Sequence, residues 1–105
     1  MRRVFRIDTD ITPEENDIIT NDMTQEEVDE INGLVDVDNV DDIDEDGRMV
    51  SYMICTEEQL EVLKRIADKY KVKIIIHDIT SMFLAGVVDI DDRDFHKFRD
   101  EQLNK

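Results

Sequence analysis

Apolar positions recur along the chain with two periods. Alternation marks Arg3 to Ile7, where Phe5 and Ile7 oppose Val4 and Arg6, and Leu34 to Val40, where Val35 and Val37 oppose Asp36 and Asp38. Met49 to Cys55 is apolar on both faces, and Val72 to Ile79 is rich in Ile; both read as strands. Helical spacing appears after three capping signatures, Thr12-Pro13-Glu14-Glu15, Thr24-Gln25-Glu26-Glu27 and Thr56-Glu57-Glu58-Gln59. The first predicts a short turn or helix through Ile18 and Ile19. The second predicts a helix carrying Val28, Ile31 and Val35, stopped at Asn32-Gly33, with Glu26, Glu27, Asp29 and Glu30 turned away from the core. The third carries a full stripe of Leu60, Leu63, Ile66, Ala67 and Tyr70, with Lys64, Arg65 and Lys69 toward its C-terminal end.

The resulting order is strand, helix, strand, strand, helix, strand. The middle strands are joined by a loop from Asp41 to Gly47, whose Asp46-Gly47 step is a turn signal. This is an α+β pattern of the ferredoxin-like, split βαβ kind (βαββαβ), and it predicts an antiparallel sheet with helices on one face. The other face is expected to bear Val4, Met49, Met53 and Ile75. It needs cover, and the chain still holds an apolar segment from Ser81 to Ile90 and then Asp91 or Asp92, either of which can cap a helix carrying Phe95 and Phe98. Either this tail folds back over its own sheet or a second copy covers it. The expectation favours a homodimer, with Met82, Phe83, Val87, Phe95 and Phe98 as the self-association residues.

Length changes little: 105 residues make one domain. Charge changes more. With 28 acids against 13 bases the formal charge is −15, and 39% of residues are charged, against roughly 25% in an ordinary soluble domain. Residues 7–47 hold 17 acids and no Lys or Arg, whereas residues 48–105 hold 11 acids and 10 bases. The domain therefore divides into an acidic half and a near-neutral half. No apolar run reaches the roughly 18 residues of a membrane span, and the start of the chain does not read as a signal peptide, so a cytoplasmic protein is expected.

Candidate chemistry is sparse. Cys55 is a lone cysteine, which excludes an intramolecular disulfide, and with only His77 and His96 beside it no zinc spacing exists. Asp42, Asp44, Asp46 and Gly47 match the opening of a calcium loop, but its twelfth position is Met53 instead of a bidentate Glu, which limits the loop to weak, partly hydrated divalent-metal binding. Asp8 and Asp10 close the first strand, where a carboxylate can hold a metal for phosphodiester cleavage, yet the surrounding acids repel that substrate. The balance is against an enzyme, and no cofactor is expected.

A carboxylate-dense surface without counter-charge has the electrostatic character of nucleic acid. The expected function is inhibition of a basic nucleic-acid-binding protein by nucleic-acid mimicry, through Glu26, Glu27, Asp29, Glu30, Asp36, Asp38, Asp41, Asp42, Asp44, Glu45 and Asp46. Small acidic proteins serve in this way as phage anti-CRISPR and anti-restriction inhibitors and as immunity proteins of nuclease toxins; the likeness is one of charge alone. The alternative is a small subunit or adaptor module whose acidic surface serves solubility. Direct binding to nucleic acid is disfavoured by the scattered bases and the repulsive net field, and no membrane partner is expected.

Overall fold

The computed structural model describes residues 1–34 and 37–105, so the alternation read across Val35 and Asp36 lies outside the described residues. All three Thr caps form. Thr12, Thr24 and Thr56 accept the backbone N–H of Glu15, Glu27 and Gln59 at 3.2 Å, and those side chains accept the N–H of the cap residue in return. They open α1 (Pro13–Asp22), α2 (Gln25–Asn32) and α3 (Glu57–Lys69). The first helix is longer than the short turn expected, but it contributes no buried residue.

Strands β1 (Arg3–Thr9), β2 (Asp38–Ile43), β3 (Met49–Cys55) and β4 (Ile74–Asp78) form one sheet in the order β2-β3-β1-β4, antiparallel at every pairing. This is a ferredoxin-like sandwich extended by two C-terminal helices, α4 (Thr80–Leu84) and α5 (Arg93–Leu103). The second strand ends later than predicted, at Ile43, because the hairpin turn is tight. Asp44 N–H donates to Arg48 O at 2.9 Å, the Asp44 carboxylate accepts from the N–H groups of Asp46 and Arg48, and Gly47 takes the φ of +76° that a turn this short requires. Asp41 and Asp42, read as loop, are thereby zipped into the ladder. The fourth strand starts later than predicted because Val72 belongs to the end of α3. Its N–H donates to Ala67 O, and Lys71 N–H donates to Asp68 O, which makes a Schellman cap with Lys71 at φ 58° in place of the usual glycine.

The register decides the two faces. Phe5 lies opposite Met53, and Ile7 opposite Ser51 and Ile76, so Phe5, Ile7, Met53 and Cys55 cluster with Leu60 of α3 on the helix side. Val4 lies opposite Ile54, and these two face the tail together with Ile79, Phe83, Ile90, Phe95 and Phe98. Met49 and Met53 therefore point to the helix face, not to the open face expected from the sequence. A strand apolar on both sides has no alternation to assign, and a one-residue slip exchanges its faces.

The tail covers its own sheet. Val4 N–H donates to the buried Thr80 Oγ1 at 2.9 Å, and Val4 O accepts from Ile79 N–H at 2.9 Å, so α4 is stitched directly onto β1. The Phe83 and Phe95 rings meet edge to face at 6.1 Å. Arg99 of α5 stacks 4.1 Å above Phe83 and donates to Phe83 O at 2.9 Å. Asp92 caps α5 by accepting the N–H groups of Asp94 and Phe95. The residues assigned to self-association consequently divide: Phe83, Phe95 and Phe98 lie inside the protomer, and only Met82 and Val87 remain exposed. Phe83→Ala is expected to cost about 3–5 kcal/mol, whereas Val87→Ala should change stability by less than about 0.5 kcal/mol. Equilibrium urea unfolding of the two variants checks the contrast.

Candidate functional site

The acids gather where β2 forms one edge of the sheet. On this strand Asp38, Val40 and Asp42 point to the tail side, while Asn39, Asp41 and Ile43 point to the helix side. Asp38 is paired with Arg2 at 3.4 Å, and Asp41 accepts hydrogen bonds from Ser51 Oγ at 2.8 Å and Asn39 Nδ2 at 3.2 Å. Asp42 Oδ1 accepts the neighbouring Ile43 N–H at 2.8 Å. Glu45 and Asp46 stand at the exposed turn beyond, and among the described residues no cation lies within ion-pair distance of Asp41, Asp42, Asp44, Glu45 or Asp46.

Two contacts bring the first helix beside this hairpin. Met49 N–H donates to Ile11 O at 2.8 Å, and Arg48 reaches Glu15 at 3.5 Å. Glu14 and Glu15, left out of the acidic set read from the sequence, therefore border it. The helices α1 and α2 and the β2 edge are walls of one groove of about 410 Å³ between helices and sheet, lined by Ile19, Val28 and Ile31 on the helices and by Asn39 and Asp41 on the strand. On the outer side of α2, Glu26 and Asp29 are exposed, and Asp29 accepts from Gln25 Nε2 at 2.9 Å.

The inner side of α2 is neutralised by α3. Arg65 pairs with Glu30, and Lys69 with Glu27 at 3.1 Å. Glu27, assigned to the exposed acidic surface, is instead buried at 8% exposure. Its Oε1 accepts from Thr24 N–H at 2.9 Å, Tyr70 OH at 2.7 Å and Lys69 Nζ, which joins α2 to the end of α3. The Thr24 backbone bond first, and then the Tyr70 hydroxyl, pull its pKa from 4.5 to about 2. The capping box carried this signal: a Glu three residues after the cap turns back toward it. Asp36 lies outside the described residues.

The remaining chemical candidates have local partners. Asp8 sits 3.1 Å from Arg6 Nε on its own strand and 3.1 Å from His77 Nε2 on the neighbouring one. Arg6 also lies over the Tyr52 ring at 5.8 Å and lines a shallow depression with Asp42, Asp44, Glu45 and Asp46. Of the proposed metal trio, Asp44 is engaged by the turn, and among the described residues no group of three or more His, Cys, Asp or Glu side chains is placed to hold a metal ion. Cys55 is fully buried, and burial pushes its thiol up to about 11, so it behaves as a small hydrophobe. No described helix is long and apolar enough to cross a membrane. Comparison with protein-family models, with curated proteins and with solved structures finds no match for this chain.

The Glu27 anchor has a defined pH dependence. Its pKa is lower in the folded chain than in the unfolded one, so its contribution is complete above about 4.5 and is lost as pH falls toward about 2. Glu27→Gln is expected to be less stable than the parent chain at neutral pH, with the difference vanishing near pH 2. Urea unfolding across that range measures it; a constant difference at all pH values would assign the loss to shape instead of charge.

Proposed function

We propose that this chain is a non-enzymatic binding protein whose acidic edge docks on the basic, nucleic-acid-binding groove of a partner protein and competes with nucleic acid there. The observation supporting this reading is the state of the hairpin acids. Cations from the rest of the chain meet Glu15, Glu27, Glu30 and Asp38, where elements join, whereas Asp41, Asp42 and Asp44 to Asp46 make no ion pair among the described residues, and Arg6 is the one cation lining the depression beside them. Glu26 and Asp29 add a second pair on the outer side of α2, three residues and so about 6 Å apart. Together they offer a lysine- and arginine-lined groove the charge that it meets on a phosphate backbone, with fast and salt-sensitive association. Inhibitors of CRISPR effectors or restriction enzymes, and nuclease immunity proteins, are the functional classes such a surface suits.

A second reading is favoured by one observation: β2 is a sheet edge, and charges on edge strands prevent pairing with other chains. Charge reversal separates the two, because Lys protects an edge as well as Asp does. Asp42, Glu45, Asp46 and Glu26 changed together to Lys are expected to leave the chain soluble and folded while weakening partner binding by about tenfold or more; the same reversal at Asp91, Asp100 and Glu101 should do much less. Binding of the partner captured from the native host is measured against salt and against competing DNA or RNA. A partner that nucleic acid does not displace, or that tolerates the edge reversal, overturns the mimicry reading.

A further inference from the structure

The opposite edge of the sheet has the reverse character. Strand β4 is the terminal strand, and no described strand pairs with its outer side. Ile79 donates its N–H to Val4 O, and Lys73 O accepts from Asp10 N–H, so alternate main-chain groups from Lys73 through Ile75 and His77 face β1. Those of Ile74, Ile76 and Asp78 face outward. The strand has no proline and a continuous register with β1, its first three residues are Ile, and the Ile75 side chain is 62% exposed; its protection is limited to its short length and to Asp78 at its end.

From this arrangement we infer that β4 is a self-pairing edge, which joins two copies of the chain antiparallel across a two-fold axis at Ile76 into one continuous sheet. That register places Ile74 of each strand opposite Asp78 of the other and uses the whole strand. It also brings the basic end of each strand, Lys71 and Lys73, toward the end of its neighbour that carries Asp78, whose carboxylate already pairs with Arg3, so the two lysine-bearing ends are kept apart. Both lysines are exposed, and neither lies within ion-pair distance of a carboxylate among the described residues. Lys71 holds a left-handed conformation at φ 58° where glycine is the unstrained choice, which keeps a cation at this corner.

Long-range charge selects this edge over the other. Pairing two β2 strands would set two acidic edges about 5 Å apart, whereas β4 pairing leaves them at the outer ends of the doubled sheet, seven strand spacings or roughly 34 Å apart, several times the Debye length of about 8 Å at physiological salt. The joint is small, since β4 offers five residues, so the association is a reversible one of moderate strength. It does not depend on the acidic-edge reading.

The test combines sedimentation of the intact chain over a range of concentrations with amide hydrogen exchange. Dimer formation is expected to slow exchange at Ile74, Ile76 and Asp78 as concentration rises, while Ile75 and His77, which face β1, are protected throughout. Ile76→Lys sets two like charges directly opposite and should weaken self-association by about tenfold or more; retained protection of Ile75 and His77 shows that the variant is folded. A chain that stays monomeric at every concentration overturns the inference. So does a dimer in which the outward amides still exchange freely.

Discussion

Mutual repulsion among the carboxylates governs how this domain is assembled. Two of them about 6 Å apart in water repel by about 0.7 kcal/mol before screening, and residues 7–47 hold 17 acids with no cation of their own. Every neutralising contact must come from outside that segment, and apart from Arg6 beside Asp8 within β1 the segment's described ion pairs to Lys or Arg fall at joints. Arg2 meets Asp38 between the N-terminus and β2, Arg48 meets Glu15 between β3 and α1, and Arg65 and Lys69 meet Glu30 and Glu27 between α3 and α2. Exposed pairs contribute little singly. Their effect here is to let acidic elements touch, and Glu27, buried among Thr24, Tyr70 and Lys69, is where the joint is tightest.

Because α1 and α2 are acidic and bury no apolar residue, much of the hydrophobic stabilisation comes from the opposite face. Val4, Ile54, Ile79, Phe83, Ile90, Phe95 and Phe98 make a continuous core between the sheet and the two tail helices. On the helix side α1 buries no residue, and a groove remains beneath it. The tail is thus part of the folding unit. Its near-neutral charge allows it to pack closely against the sheet while the acidic elements stay at the β2 edge and on the helix side.

Much of this was legible in the residues, and the misses share a cause. Capping is a local hydrogen-bonding event, so three Thr-led boxes and the Asp92 cap located four helices. The strand order followed from alternating and Ile-rich runs, and with it the ferredoxin-like topology. What failed was non-local. Asp41 and Asp42 have poor strand propensity and were read as loop; the turn bonds made by Asp44 carry them into the ladder. Met49 and Met53 were given the wrong face because no alternation marks Met49 to Cys55. Phe83, Phe95 and Phe98 were recognised as surplus apolar residues, but periodicity does not say whether a sheet is covered by its own tail or by a neighbour's. Within the acidic set, Glu27 was misplaced although its capping position held the clue, and Glu14 and Glu15 were missed because only Arg48 and the Ile11 contact bring α1 to the hairpin.

On the proposed reading the hairpin acids oppose the fold and serve what they meet outside it. Comparing unfolding free energies of the parent chain and the combined Asp42→Asn, Glu45→Gln, Asp46→Asn variant, from low salt to about 1 M, tests it most directly; Asp44 is left in place because it closes the turn. The neutralised variant is expected to be the more stable at low salt, by about 0.5–2 kcal/mol, and the two are expected to converge as salt screens the repulsion. A variant no more stable than the parent at low salt, or a difference that salt does not change, would contradict that reading.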